Sequence, residues 1–184
     1  MNKRRIGIVS VLIMVVVGGL IFGRVKEATY LPMLNERKDF LLQDYKGEFF
    51  HLSKMPKEKV YLLIFTPDEI FQKSVGPMAE FNLALKQIRE KKVEVVWITR
   101  TNRDIVLNFR SACGFPGTLL IDMGGTVGKR FDLWPTIDTV RTWGYALVNS
   151  EGEVFKTLRS ENVLTAQEVI NLLDKSLAAP VPGK

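Results

Sequence analysis

The chain has one cysteine and one histidine among its 184 residues. One cysteine leaves no intramolecular disulfide, no zinc knuckle and no Cys-x-x-Cys redox pair within the chain. One histidine excludes sites that need two, such as the His-Glu-x-x-His pattern of a metalloprotease. No metal and no cofactor is expected from this set of side chains. Charge of one sign is also in short supply. There are 26 basic and 20 acidic residues, and three of the basic ones are Lys3, Arg4 and Arg5, so the surplus falls from +6 to +3 beyond the N-terminus. That remainder is scattered and gives no nucleic-acid footprint. Repeats and low-complexity tracts are absent. The 46% hydrophobic and 25% charged content is that of a globular chain, which excludes a disordered tail or a collagen-like rod.

Long apolar runs are confined to one place. Residues 6–22, IGIVSVLIMVVVGGLIF, carry no charge. As a helix this run is about 25 Å long, at the short end of what spans a bilayer core. The run is longer than the usual signal-peptide core of about 7–15 residues, and no Ala-x-Ala site follows it. A retained signal anchor is therefore favoured over a cleaved signal peptide. Lys3, Arg4 and Arg5 lead into it, whereas Arg24 and Lys26 on the other side are partly offset by Glu27. The positive-inside rule then places the N-terminus in the cytoplasm and the rest of the chain in the periplasm or another extracytoplasmic space. A lone cysteine suits such an oxidising space, since it cannot mispair within the chain. The expected layout is an anchor at 1–23, a tether at 24–38, a domain at 39–178 and a flexible tail at 179–184.

Within the domain the pattern becomes regular. Phe40 to Leu42, the turn Asp44-Tyr-Lys-Gly47 and Phe49 to Leu52 predict a hairpin. Val60 to Phe65 is a continuous run of strand formers, as expected of a strand buried on both faces, and Pro67 follows it. Met78, Phe81, Leu85 and Ile88 recur at helical spacing within a helix over 74–92. Further strands are expected at 93–98 and 118–121, helices at 103–112 and from Gly125 to Phe131, a second hairpin at 145–148 and 154–156, and a last helix at 165–178. Strands alternating with helices imply an α/β fold, with a mixed sheet carrying helices on both faces.

Three segments carry a family resemblance, which covers about residues 35–178. Asp39-Phe-Leu-Leu-Gln-Asp44-x-x-Gly47, leading through Leu52-Ser53 to Val60–Pro67, resembles the opening of peroxiredoxins of the alkyl hydroperoxide reductase/thiol-specific antioxidant type. Gly114-Phe-Pro-Gly-Thr-Leu-Leu-Ile-Asp122-x-Gly-Gly-Thr resembles their middle segment, and Tyr145-Ala-Leu-Val-Asn-Ser-Glu-Gly-Glu-Val154 their late hairpin. The resemblance implies a thioredoxin-like redoxin fold and, in the family, peroxide reduction by a thiolate. Peroxiredoxins carry Pro-x-x-x-Thr-x-x-Cys where the strand gives way to the helix. This chain reads Pro67-Asp-Glu-Ile-Phe71-Gln-Lys-Ser74, with Phe71 at the threonine position and Ser74 at the cysteine position. The family's later arginine falls near Trp143, and Arg141, two residues earlier on the same strand face, is its candidate substitute.

The missing sulfur decides the expectation. A helix N-terminus brings a thiol from a pKa of about 8.5 into the working range. It does not ionise a serine hydroxyl, which needs an adjacent base, and none is recognisable near Ser74. Asp68 and Glu69 there read as first-turn capping residues. Cys113 is either a relocated reactive thiol or a small buried apolar residue at a helix end. His51 reads as a strand residue facing solvent or making a local hydrogen bond. Phe131, Trp134 and Trp143 belong either to the core or to an apolar surface around the vacated site.

The expected function is therefore binding by a redox-degenerate domain. Pro67, Phe71, Ser74, Pro77 and Trp143 line a groove for an extended segment of an envelope protein, and the membrane is met through the N-terminal helix. The alternative is a thiol peroxidase or thiol–disulfide oxidoreductase that uses Cys113. A copper-delivery role comes last, because it needs two cysteines and a distal histidine.

Overall fold

The computed structural model describes residues 38–66, 75–134 and 142–178. In chain order they form β1 (Leu41–Asp44), β2 (Phe49–His51), a single 3-10 turn at Leu52–Lys54, β3 (Val60–Phe65), α1 (Val75–Glu90), β4 (Val93–Thr99), α2 (Arg103–Cys113), β5 (Thr118–Ile121), α3 (Thr126–Arg130), β6 (Trp143–Asn149), β7 (Val154–Ser160) and α4 (Ala166–Ala178). Among the described residues no helix is long and apolar enough to cross a membrane. The expected membrane helix at 1–23, the tether up to Arg37 and the tail from Ala179 lie outside them.

The strands make one seven-stranded sheet in the order β2-β1-β5-β4-β3-β6-β7. β3 lies among the central strands because all six of its side chains are apolar. It pairs in parallel with β4, from Val60↔Val93 to Phe65↔Ile98, and antiparallel with β6, where Phe65 faces Gly144. Side chains alternate between the two sheet faces, so the run fills two cores. Leu62 and Ile64 join Trp97, Tyr145 and Leu147 under α1, α2 and α4, which contribute Phe81, Ile88, Phe109 and Leu173. Tyr61, Leu63 and Phe65 join Phe40, Phe50, Phe131, Leu133 and Trp134 on the other face. Each fully buried side chain of this kind stabilises by about 2 kcal/mol. The expectation of helices on both faces holds unevenly. Among the described residues three helices cover one face, whereas the other has the five-residue α3, the hairpin aromatics and the turn after α3.

Local signals fix the ends of the elements. The Asn102 side chain accepts from the Ile105 N–H at 3.1 Å, which starts α2. Gly114 stops it in a left-handed conformation (φ 64°), its N–H donating to the Arg110 carbonyl. At α4, Thr165 and Glu168 form a reciprocal capping box: the Thr165 N–H donates to Glu168 Oε2 (2.7 Å) and the Glu168 N–H to Thr165 Oγ1 (3.3 Å).

The start of the domain is clamped to the sheet. The Lys38 N–H donates to the Gly152 carbonyl (2.9 Å), and Gly152 sits at φ +78° with the Lys38 backbone where a Cβ would be. The Lys38 ammonium lies 3.6 Å from Asp132 Oδ2, and the Arg130 guanidinium donates to the Asp39 carbonyl.

Candidate functional site

In an open sheet of this kind ligands meet the carboxyl ends of the parallel strands. Here those ends bring together Thr66 after β3, Thr99 and Arg100 at the end of β4, and Asp122 after β5. Thr66 and Thr99 are both buried. The Thr66 N–H donates to the Ile98 carbonyl, but its hydroxyl, sealed from water, has no hydrogen-bond partner among the described residues. Thr99 Oγ1 accepts from the Thr101 N–H at 3.2 Å. Register places Thr66 on the helix-bearing face, the side of Ile64 and Trp97.

Asp122 shapes the neighbouring strand end. Its buried carboxylate accepts from the N–H groups of Thr126 (3.0 Å), Val127 (2.8 Å) and Gly128 (3.2 Å), so one side chain satisfies the first turn of α3. Gly125 enters that helix at φ 64°. Behind it Trp134 packs edge-on to Phe65, ring centroids 5.4 Å apart, and the Arg100 guanidinium carbon lies 5.8 Å from the Trp134 ring centroid. The result is an aromatic wall carrying one cation. Sequence reading did not single out Thr66, Arg100 or the role of Asp122. The Asp-x-Gly-Gly-Thr stretch held the signal for Asp122, because an acidic residue before a glycine pair and a helix is a capping pattern.

The predicted residues are distributed unevenly. Pro67, Asp68, Glu69, Phe71, Ser74 and Arg141 lie outside the described residues. Pro77 belongs to the first turn of α1, and its side chain also lies outside the described part. Trp143 opens β6 and is only 2% exposed. It stands edge-on to Trp97 with centroids 5.6 Å apart, inside the core instead of lining an open groove. Phe131 and Trp134 are buried too, so all three aromatics take the core alternative. Trp143 is held there because it lies on the same face of β6 as Tyr145, two residues on, which turns it under the helices.

Cys113 is 5% exposed and packs among Phe109, Phe115 and Leu119. Burial pushes its thiol pKa up, and hydrogen bonding and Arg110 only partly oppose that. Its S–H points to the Arg110 carbonyl at 4.0 Å, and its own carbonyl accepts from Asn82 Nδ2 at 2.7 Å. Asn82 lies seven residues into α1, about 10 Å along the helix from its first turn. The thiol is therefore not activated.

His51 makes the expected local bond. Its Nε2 lies 2.8 Å from Asp39 Oδ2 and 3.1 Å from Ser53 Oγ. Both partners use the same ring nitrogen, so this is no serine–histidine–aspartate relay, which needs one partner on each nitrogen. Asp39 Oδ1 accepts from the N–H groups of Phe40 and Ser53. Burial would raise the Asp39 pKa, but the hydrogen bonds from Ser53 and His51 outweigh it and hold the carboxyl below its ordinary value. Among the described residues no three His, Cys, Asp or Glu side chains gather to hold a metal.

The sequence pattern of the AhpC/TSA family matches residues 34–157. No curated protein sequence matches the chain. Solved structures resemble it in fold. The Xanthomonas campestris bacterioferritin comigratory protein, studied for alkyl peroxide reduction, superposes with a TM-score of 0.63 at 19% identity, covering 76% of this chain and 90% of its own. Peroxidoxin BcpB from Mycobacterium tuberculosis gives 0.63 at 21%, covering 78% and 94%. A cysteine-to-serine variant of Xylella fastidiosa PrxQ gives 0.66 at 21%, also covering 78% and 94%. At these identities the likeness establishes the thioredoxin-like peroxiredoxin fold with its mixed sheet, and nothing finer.

Proposed function

The chain belongs to the AhpC/TSA family, and from that premise we propose that it is a redox-degenerate member, a membrane-anchored redoxin domain that binds a partner. The observation that carries this reading is the state of Cys113. The chain's one thiol is buried at the end of α2 and is held toward its neutral form. Peroxide reduction needs a thiolate that peroxide can reach. Ser74 occupies the position that the family pattern reserves for that thiolate, and a hydroxyl there without a base is inert.

What remains useful in such a fold is the carboxyl end of the sheet. The buried Thr66 hydroxyl without a partner and the Arg100–Trp134 wall suit an extended peptide segment, which offers carbonyls and N–H groups in a row. Pro67, Phe71, Ser74 and Pro77 are the residues proposed to meet it, while Trp143 is buried in the core. Residues 6–22 are proposed to anchor the chain, with the domain on the extracytoplasmic side, where an envelope protein is the partner within reach.

The test is peroxide consumption by the full chain in detergent with a dithiol reductant, beside Cys113→Ser and Ser74→Ala. The expected result is no turnover above buffer for any of the three. Turnover that disappears in Cys113→Ser would instead make this a peroxidase with a relocated thiol, and the binding reading would fall.

A further inference from the structure

Asp122 fixes a turn as well as a helix. Its N–H donates to the Thr99 carbonyl and its carbonyl accepts from the Gly125 N–H, both at 2.8 Å. The second bond closes a β-turn over residues 122–125, with Met123 at its first corner. The Asp122 carboxylate, bound to three N–H groups of α3, and Gly125 at φ 64° hold the two ends of that turn. Its corner is bare: the Met123 side chain is 61% exposed, at the carboxyl end of β5. The other described methionines are enclosed. Met78 lies in the core beneath α1 and is 0% exposed, and Met55 packs, partly buried, against the aromatic side of the sheet. Cys113 is buried, with its thiol held toward the neutral form. Among the described residues, then, the sulfur most open to water is that of Met123.

We infer that Met123 is a reversible oxidation site for hydroperoxides at the carboxyl end of the sheet. A thiol must ionise before it attacks a peroxide. A thioether has no proton to lose, so Met123 needs no activating neighbour. Its sulfur lone pair attacks one peroxide oxygen. The S–O bond forms as the O–O bond breaks, and the proton on the transferred oxygen passes to the departing hydroxide, which leaves as water. An alkyl hydroperoxide leaves an alcohol in the same way. Sulfur gives up two electrons and the peroxide takes them. The product is a sulfoxide, which turns a flexible apolar side chain into a polar one. Access decides which methionine reacts, and it favours the turn corner over the two enclosed positions. The same exposure presents the sulfoxide to methionine sulfoxide reductases, which return it to the thioether. The oxidation stands apart from the binding reading. Only its effect on a bound segment, a polar group where an apolar one stood beside the strand ends, rests on that reading.

The experiment treats the full chain in detergent with excess hydrogen peroxide and follows sulfoxide at each methionine by peptide mass. The same chain unfolded in guanidinium and a Met123→Leu variant, which keeps the side-chain volume and removes the sulfur, serve as references. In the folded chain Met123 should oxidise several-fold faster than Met55 and far ahead of Met78, and the three rates should converge on unfolding. The rate at Met123 should stay flat between about pH 6 and 8, where a thiolate route would quicken. Methionine sulfoxide reductases of both epimer specificities, supplied with a dithiol, should restore the unoxidised mass. Met55 keeping pace with Met123 in the folded chain overturns the inference, as does a sulfoxide at 123 that the reductases leave in place. Peroxide turnover that is lost in Cys113→Ser overturns the binding reading alone, because the ratio of Met123 to Met55 oxidation does not depend on it.

Discussion

Gly128→Ala tests how the aromatic wall behind the site is built. A Cβ at 128 would lie 2.0 Å from Cε3, 2.2 Å from Cδ2 and 2.8 Å from Cγ of Trp134. Carbon atoms pack best at about 3.5–4.0 Å, so the indole or α3 must give way by about 1.5 Å. The indole has little room: Phe65 stands edge-on to it, and the Leu133 and Trp134 N–H groups both donate to the Gly128 carbonyl, at 3.0 and 3.2 Å. Overpacking of this kind costs about 1–3 kcal/mol. Replacing a helical glycine by alanine returns about 0.5–1 kcal/mol, so the net loss is about 1–2 kcal/mol. For a domain of this size that is a fall in Tm of several degrees, at roughly 2–6 °C per kcal/mol. Urea unfolding followed by tryptophan fluorescence measures it. Gly76→Ala, where nothing lies within 4 Å of the added Cβ, serves as the reference and should be neutral or slightly stabilising. Trp134→Phe placed in the Gly128→Ala background should recover about 1 kcal/mol as coupling in a double-mutant cycle. If Gly128→Ala matches Gly76→Ala, the wall does not press on α3 and the reasoning is wrong.

Two further substitutions probe the polar framework. Asp122→Ala leaves three N–H donors of α3 without an acceptor and should cost about 3 kcal/mol, with Asp122→Asn costing less because one acceptor oxygen remains. Equal losses in urea unfolding would show that only the side chain's volume matters. Asp39 is held below its ordinary value of 3.8 in the fold, so its contribution is present above that value and fades as pH falls through the folded-state pKa. Unfolding midpoints of the native chain should therefore decline more steeply below about pH 4 than those of Asp39→Asn; parallel profiles would remove Asp39 from the acid response.

How much the sequence could show depends on what fixes each element. β3 and β5 end where the sequence places them, because a run that is apolar throughout has its limits written in its own residues. β1 does not: it runs on through Gln43 and Asp44, which pair with Ile121 and Leu120 of β5, a partner more than seventy positions away. β7 extends to Ser160, beyond the expected end at Lys156, because pairing with β6 carries it outward through Arg159, and an edge strand tolerates charge. Trp143 shows the same limit at the site. An aromatic near a family motif position is ambiguous in sequence, and only its place on β6, on the face of Tyr145, turns it inward. The serine at position 74 is legible from one motif register, and it lies outside the described residues. The unpartnered Thr66 hydroxyl and the Arg100–Trp134 contact were not, since they depend on which strand ends converge.

The clamp at the start of the domain has a mechanical consequence. Tension arriving along the preceding chain at Lys38 does not meet β1 first. It is divided among the Lys38–Gly152 backbone bond, the Lys38–Asp132 ion pair and the Arg130 grip on Asp39. Those partners belong to the β6–β7 turn, the residues after α3 and α3 itself. Load is thus shared between three separate parts of the domain before any strand of the hairpin is peeled. A chain pulled at Lys38 would have to part these three contacts before load reached the hairpin.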